Sequence, residues 1–442
     1  VNRGRTAPVA VGVVGAAGAV GRAVLEELLR LGVGPVRAAV RRPPGRALPS
    51  GAHLWPDPVD VADARALAAF CAECRVVVNA TGPVRAVGHR VASAALASGA
   101  DLVDVNDTAE LPEPAPYARL LRWRTAVIGA GLMPGLAGLL PGVLVADGAP
   151  VTEVAPAGRR TARAPESVDA WALGRRAPDP GSRAPVTVSG GRADLATAHS
   201  AAGPGQGSGE SSGGGADPRR TARADPTLTV RVGGLPHFPP AAARDFMDRL
   251  AHPGGEVTAV WRGGRRVAGA LGVERGVRLP YFPGPVTAIP YLTEEAVGVA
   301  RRFGLDEVRW YTVFGGEHTR AVLDRYRAGL PPGRSVDEAA DELSRATLTD
   351  LAGRTPYQIV TCELDGRALV LTGTDSSALT GTTAAHAALA VLNGELPAGQ
   401  LHFAELPDPD RLARRVAEAP AVTGLRLLDG PLAELPLEEG IL

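Results

Sequence analysis

The chain contains no lysine; every basic residue in it is arginine. That absence excludes a Walker-A lysine, a Schiff-base lysine and a Tyr-x-x-x-Lys catalytic pair. Every fixed positive charge is a guanidinium, which stays protonated and cannot act as a general acid or base at ordinary pH. Aromatic residues make up only 4%, so the core must be built from Ala, Val and Leu. Net charge is also lacking: 47 basic residues balance 47 acidic ones, and no nucleic-acid or membrane-surface partner is expected. Three cysteines, Cys71, Cys74 and Cys362, make no disulfide framework and suit a reducing cytoplasm. Cys71 and Cys74 form C-x-x-C without a second pair at zinc spacing, so they are read as packed thiols and no metal is expected.

Two stretches imitate membrane signals. Arg3 and Arg5 precede an apolar run, but its regular glycines and the amphipathic helix after it argue against a signal peptide. Residues 126–146 carry no charge, yet Gly129, Gly131, Pro134, Gly135, Gly138, Pro141 and Gly142 punctuate them. A buried strand, a tight loop and a helix start fit this stretch better than a membrane span.

What is present is a long alternation. The 442 residues suit two domains plus insertions. Strands are expected over 8–14, 36–40, 75–80, 102–105 and 125–128, with helices between them. Val20, Val24, Leu25, Leu28 and Leu29 recur at helical spacing, with Arg22, Glu26, Glu27 and Arg30 on the other face. Such alternation implies a parallel sheet covered on both faces. From residue 151 the pattern turns polar and β-rich, with strands expected over 228–232, 257–261 and 308–314. Residues 200–216, almost all Gly, Ser, Ala, Gln and Pro, read as a flexible loop. Residues 359–364 and 368–372 suggest an antiparallel pair, and 382–392 an Ala-rich helix stopped by Asn393-Gly394.

The strongest motif is Gly15-Ala16-Ala17-Gly18-Ala19-Val20-Gly21, between a strand and a helix. Small residues there let the backbone approach a pyrophosphate, and the helix start supplies amide donors. The second signal follows the second strand, where a fold that prefers NAD usually places a carboxylate for the ribose 2′-hydroxyl. Here Arg41 and Arg42 stand instead, suited to the 2′-phosphate of NADP(H) by bidentate hydrogen bonds; the alternative is a solvated basic turn. The third is Asn79-Ala80-Thr81-Gly82-Pro83, small polar residues ending an apolar strand at the expected ligand crevice. Asp60 and Val61 are candidates for the adenine edge, Asp60 being equally a helix N-cap.

These stretches, with Asp101-Leu-Val-Asp104-Val-Asn-Asp107 and Gly129-Ala-Gly131-Leu132-Met133-Pro134-Gly135-Leu, make the chain resemble the saccharopine dehydrogenase-like family of NAD(P)-dependent oxidoreductases. Thr372-Gly-Thr-Asp375 and residues 382–394 echo the family's last sheet segment and returning helix, whereas residues 155–350 show little likeness. The resemblance implies an α/β architecture: a Rossmann doubly wound parallel sheet plus an α+β substrate domain with a mixed or antiparallel sheet. The corresponding boundaries are 1–150 for an NADP-binding domain, 151–374 for a substrate or dimerisation domain, and 375–442 for a helical return. It further implies that Gly82, Pro83, Asp107 and Gly131 to Gly135 surround the nicotinamide. The implied substrate is an imine, amino acid or carbonyl compound, small or carrier-bound, some family members being suggested to reduce polyketide intermediates. No substrate residue of a saccharopine enzyme maps onto the middle domain, which points away from lysine metabolism and toward a specialised pathway.

Without lysine, a proton donor must be His, Tyr, Asp, Glu, Cys or water. Asp107, after a strand end, and His318, in a turn after an apolar strand, are the catalytic candidates; a cap and an ordinary surface histidine are their alternatives. Tyr281, Tyr291 and Tyr311 read as core, and Arg275, Arg278 and Arg309 as possible carboxylate anchors or solvated groups. Gly209-Glu-Ser211-Ser-Gly213 matches G-x-S-x-G but lacks the strand and helix that the hydrolase elbow needs. The leading expectation is an NADPH-dependent reductase or dehydrogenase, with a non-catalytic NADP sensor or scaffold as the competing one. A homodimer through edges of the β-rich domain is a further expectation.

Overall fold

The computed structural model describes residues 9–106, 119–146, 226–251, 257–327 and 329–434. The N-terminal half is β1 (Val9–Val14), α1 (Ala19–Arg30), β2 (Val36–Ala39), β3 (Ala52–Leu54), α2 (Ala64–Cys71), β4 (Cys74–Asn79), α3 (Val84–Val87), α4 (Arg90–Ala97), β5 (Asp101–Asp104), β6 (Thr125–Ile128) and α5 (Leu136–Ala146). There follow β7 (Thr227–Leu235), α6 (Pro240–Ala251), β8 (Val260–Arg262), β9 (Arg265–Val267), β10 (Glu274–Arg278), β11 (Pro285–Pro290), α7 (Glu294–Phe303), β12 (Glu307–Phe314), α8 (Glu317–Tyr326) and α9 (Val336–Leu351). The chain ends through β13 (Tyr357–Leu364), β14 (Arg367–Gly373), α10 (Ser376–Leu392), β15 (Gly399–His402), α11 (Pro409–Ala417) and β16 (Val422–Asp429).

The first sheet runs β15-β6-β5-β4-β1-β2-β3, every pair parallel. Its strands are short apolar runs buried on both faces, as a sheet covered by helices requires. Chain direction across the sheet reverses between β1 and β4, which opens a crevice above their C-terminal ends. This is the doubly wound architecture expected from the alternation. The second sheet is mixed: β10-β11-β12-β7-β13-β14-β16, with only β12 and β7 parallel along that path.

One apolar cluster runs from β1 and α1 through α5 and α7 to β7, β12 and β13, so the two sheets share a core. Val24, Leu25 and Leu28 of α1 are fully buried in it, each contributing about 1.5–3 kcal/mol. Helix α10 crosses α1 so closely that a Cβ on Gly381 would lie 2.4 Å from Ala23 Cβ. The C-terminal segment differs from the expected helical return. Helix α10 and β15 do rejoin the first sheet, but β16 pairs antiparallel with β14 in the second. Val422–Asp429 is for the most part half-buried, as an edge strand of that sheet. The 200–216 loop and the G-x-S-x-G stretch lie outside the described residues. Among the described residues no helix is long and apolar enough to cross a membrane.

Candidate functional site

The turn after β1 is shaped by glycine. Gly15 has φ +82°, and a Cβ there would lie 2.7 Å from the Ala80 carbonyl oxygen. A Cβ on Gly21 would meet the Gly15 carbonyl oxygen at 2.2 Å, so only glycine lets α1 start this close to the strand. The turn is tied down by Gly18 donating to Gly15 (3.0 Å) and Ala16 donating to Ala39 (3.2 Å). Gly18 is the N-cap of α1 and provides no side-chain acceptor for its first-turn amides. Ala17, Gly18 and Ala19 are exposed, so the donors and the positive end of the helix face outward for an anion.

Beyond β2, Arg41 and Arg42 are exposed. Among the described residues neither has a hydrogen-bond or ion-pair partner. The loop behind them is pinned by Arg22 of α1, which donates to the carbonyls of Ala47 (2.8 Å) and Arg46 (3.1 Å). Val59 donates to the Val40 carbonyl at 2.9 Å, which sets Asp60 and Val61 beside the end of β2. Asp60 Oδ1 accepts from the Ala62 amide at 2.9 Å. It is not the helix cap: that is Asp63, whose carboxylate accepts from Arg65 and Ala66. The chain needs one more turn after Val61 before helical backbone begins.

The ends of β4 and β5 are joined by a buried polar network. Asn79 donates to Asp104 Oδ2 (2.8 Å) and accepts from the Thr81 amide (3.1 Å) and hydroxyl (2.5 Å). Asn106 donates to the Thr81 carbonyl at 3.0 Å. Such a satisfied network fixes the Ala80 to Pro83 loop rigidly. The loop is covered from the second-sheet side by α6, where Asp245 Oδ1 accepts from the Val84 amide at 2.7 Å. A Cβ on Gly82 would lie 3.3 Å from Asp245 Oδ2. Burial pushes the Asp245 carboxyl above its ordinary value against the opposing hydrogen bond from Val84.

After β6, the loop Gly131-Leu132-Met133-Pro134-Gly135 turns back on itself, Gly131 donating to the Pro134 carbonyl at 3.0 Å. Three distant elements hold it. Thr380 of α10 accepts from the Leu132 amide (3.2 Å), and Trp310 of β12 donates its indole hydrogen to Met133 Sδ (3.4 Å). Buried Glu295 of α7 accepts from the amides of Gly135 (2.5 Å) and Gly138 (3.1 Å), placing a carboxylate at the start of α5. Neither Asp245 nor Glu295 is marked in the sequence as part of the site. From Met133 an apolar cavity extends toward Phe246, Leu250, Ile289, Phe314 and Leu323.

Neither catalytic candidate is described beside these loops. Asp107 lies outside the described residues. His318 sits in a different cavity of about 480 Å³, lined only by second-sheet residues and their connections, and not with the glycine turn or the strand-end loops. Its Nδ1 lies 2.9 Å from Oδ1 of buried Asp350. Asp350 also accepts from the His318 and Thr319 amides and the Thr319 hydroxyl, capping α8 from α9. Burial raises the Asp350 carboxyl, but these hydrogen bonds outweigh it and hold it below its ordinary value. Of the candidate anchors, Arg275 pairs with Asp324 and Arg309 with Glu307. Tyr311 is buried as expected, whereas Tyr291 borders the apolar cavity. Cys71 and Cys74 are buried, and burial pushes both thiols up to about 12, as packed thiols require. Among the described residues no group of side chains has the make-up of a metal site.

Residues 11–128 match the family model of the saccharopine dehydrogenase NADP binding domain. Among solved structures, apo saccharopine dehydrogenase (L-Glu forming) from Saccharomyces cerevisiae shares the fold at TM-score 0.52 and 13% identity, covering 95% of this chain and 99% of that one. Uronate dehydrogenase from Agrobacterium tumefaciens is 26% identical over 23% of this chain and 42% of its own, at TM-score 0.19. No curated protein matches the chain in sequence.

Proposed function

We propose that this chain, which carries a saccharopine dehydrogenase-type NADP binding domain at residues 11–128, is an NADP(H)-dependent oxidoreductase. It reduces a C=N or C=O bond, or runs the reverse oxidation, in a specialised biosynthetic pathway. The observation that carries this reading is the Gly15–Gly21 turn, where added Cβ atoms would collide with backbone and the helix amides are left for an anion. The turn and the start of α1 would hold the pyrophosphate, and Arg41 and Arg42 the 2′-phosphate. Asp60 and Val61 would flank the adenine side. Asn79 to Pro83 and Gly131 to Pro134 would flank the nicotinamide side, a reading supported by their position after β4 and β6 in the parallel sheet. NADP(H), when bound, supplies or takes up the hydride.

The protein's own part is to hold, orient and exclude water. Asp245 and Glu295 fix the two loops that would bracket the reacting centre, and the apolar cavity beginning at Met133 shields it from water. Asp107 is the first candidate for moving the substrate proton. His318, held by Asp350 in its separate cavity, is not among the groups that bracket this centre. The substrate is small or carrier-bound. The buried free thiols at Cys71, Cys74 and Cys362 support a cytoplasmic setting. Edge strands β10 and β16 offer pairing surfaces for a homodimer, which light scattering at monomer mass would exclude.

Calorimetry with NADPH and NADH tests the reading. NADPH is expected to bind more tightly, and the double variant Arg41→Ala/Arg42→Ala to lose about tenfold or more of that preference. Absence of binding by either cofactor at millimolar concentration would overturn it and leave a scaffold that has kept only the fold.

A further inference from the structure

The turn between β12 and α8 borders the cavity of about 480 Å³ that the proposed reaction does not use. Two glycines make the turn. A Cβ on Gly315 would lie 2.7 Å from the Tyr357 hydroxyl, and one on Gly316 would collide with the Asp350 carboxylate. Without side chains there, Asp350 of α9 reaches the start of α8. The buried carboxylate accepts from the His318 and Thr319 amides and from the Thr319 hydroxyl. Those amides are therefore taken, and a ligand in the cavity must be held by side chains.

His318 supplies the first contact. Its Nδ1 lies 2.9 Å from Asp350 Oδ1, so the carboxylate fixes the Nδ1 hydrogen and the plane of the ring. Nε2 has no hydrogen-bond partner among the described residues, and the side chain is 61% exposed where it lines the cavity. Once the ring carries both hydrogens, Nε2 is a donor. Arg320 of α8 and Arg354, beyond the end of α9, line the same cavity. Arg354 has no ion-pair partner among the described residues. Arg320 lies 3.6 Å from Glu317, whose side chain is 83% exposed, a contact that water screens.

The charges on the lining decide what fits. Arg320 and Arg354 are balanced by Glu317 and Asp350, and the lining from β10 and β11 carries no charge. A protonated His318 leaves one positive charge over. That matches a ligand with one negative charge, whereas a second would stand without a partner. Val286 and Phe314, both buried, add an apolar wall for the rest of the ligand.

We infer that this cavity is a second ligand site, for a small organic monocarboxylate. Its carboxylate sits between His318 Nε2 and the guanidiniums of Arg320 and Arg354, and its apolar body lies on Val286 and Phe314. The inference goes beyond the oxidoreductase reading and does not depend on it.

The test titrates the full chain with benzoate, and with benzamide as the uncharged isostere, by calorimetry with and without NADPH. Benzoate is expected to bind with a Kd of roughly a millimolar, unaffected by NADPH, and benzamide about tenfold more weakly or less tightly still. Added salt should weaken benzoate binding. So should a rise from about pH 6 to about pH 8, a range in which histidines give up a proton while benzoate stays ionised. Arg354→Ala should weaken benzoate about tenfold, and as an exposed turn residue it leaves the fold intact. His318→Asn keeps a donor for Asp350 in place of Nδ1 and removes Nε2. It should hold the melting temperature but lose both the affinity and its pH dependence, a result that a merely structural histidine would not give. Equal binding of benzoate and benzamide, no saturable benzoate binding at about 10 mM, or affinity unchanged in both variants overturns the inference. So does displacement of benzoate by NADPH, which would place it in the nucleotide site.

Discussion

Asp245 of α6 accepts the Val84 amide hydrogen at 2.7 Å, so a carboxylate from the second sheet's side closes over the loop that ends β4 in the first. The contact joins residues 161 positions apart in sequence. It stands beside Gly82, where a side chain would crowd the carboxylate. Burial raises the Asp245 carboxyl above its ordinary 3.8. A group whose folded value is raised stabilises the fold below its unfolded value, and that contribution is lost as pH rises through the folded value. Asp245→Asn keeps an oxygen for the Val84 amide and removes the charge. The variant should therefore gain on the parent in thermal stability as pH rises from 3 to 7. A melting-temperature difference that does not change with pH would show that the carboxyl is not strained by burial. Asp245→Ala loses the acceptor as well and is expected to be less stable than Asp245→Asn by about 1–3 kcal/mol.

Glu295 performs the corresponding task at the other loop. It accepts from both Gly135 and Gly138, so removing it strands two amides in the core. Glu295→Ala should lower stability by about 1–3 kcal/mol for each amide, whereas Glu295→Gln retains an acceptor and should lose less. Chemical denaturation of the two variants separates these outcomes. Equal losses would mean that the negative charge at the helix start matters and the hydrogen bonds do not.

The division between what the sequence revealed and what it concealed follows from distance. The β1 turn was legible because Gly15, Gly18 and Gly21 are close in the chain and the constraint on them is local backbone geometry. The strand ends at Asn79 and Gly129 were legible as apolar runs stopped by small residues. Asp245 and Glu295 were not, because each lies on an amphipathic helix of the second half and gains its role only from packing. Glu295 is hidden further by its position: in the first turn of α7, behind the Thr293 cap, it reads as an ordinary partner for its own helix. Of the two roles open to Asp60, the cap belongs to Asp63, one turn further on, a choice between two similar acidic residues that periodicity cannot resolve. Strand β16 escaped because its return to the second sheet depends on the free edge of β14.

Gly21 sets two local effects against each other. In a helix interior, Gly→Ala gains about 1 kcal/mol from propensity. At this position the added methyl would lie 2.2 Å from the Gly15 carbonyl oxygen and 2.8 Å from Ala16 Cα, both backbone atoms that cannot swing aside. The collision should win, with a net loss of about 1–3 kcal/mol as in overpacked cores. Gly21→Ala is also expected to weaken NADPH binding, because the turn that must move is the proposed pyrophosphate site. Calorimetry and thermal melting check the two effects separately. A variant as stable as the parent would mean that α1 can shift outward without cost.

The helix that carries this turn is anchored at its far end by charge. Glu27 of α1 is buried, accepts two hydrogen bonds from Arg30 at 2.7 Å each, and lies 3.0 Å from Nε2 of buried His386 on α10. Burial pushes the Glu27 carboxyl up, but the hydrogen bonds from Arg30 and His386 outweigh it and hold it below its ordinary 4.5. A carboxyl lowered in this way stabilises the fold above its unfolded value, and the contribution is lost as pH falls through the folded value. Glu27→Gln should therefore cost about 1–3 kcal/mol at pH 7, the range for a hydrogen bond to a charged group. The gap between variant and parent should narrow as pH falls below the ordinary value of 4.5, where protons bind the unfolded chain first and the folded carboxyl after it. Urea denaturation at pH 7 and at pH 3.5 measures the gap. If it is as wide at pH 3.5 as at pH 7, the glutamate holds α1 against α10 through packing, and the ion pair contributes nothing.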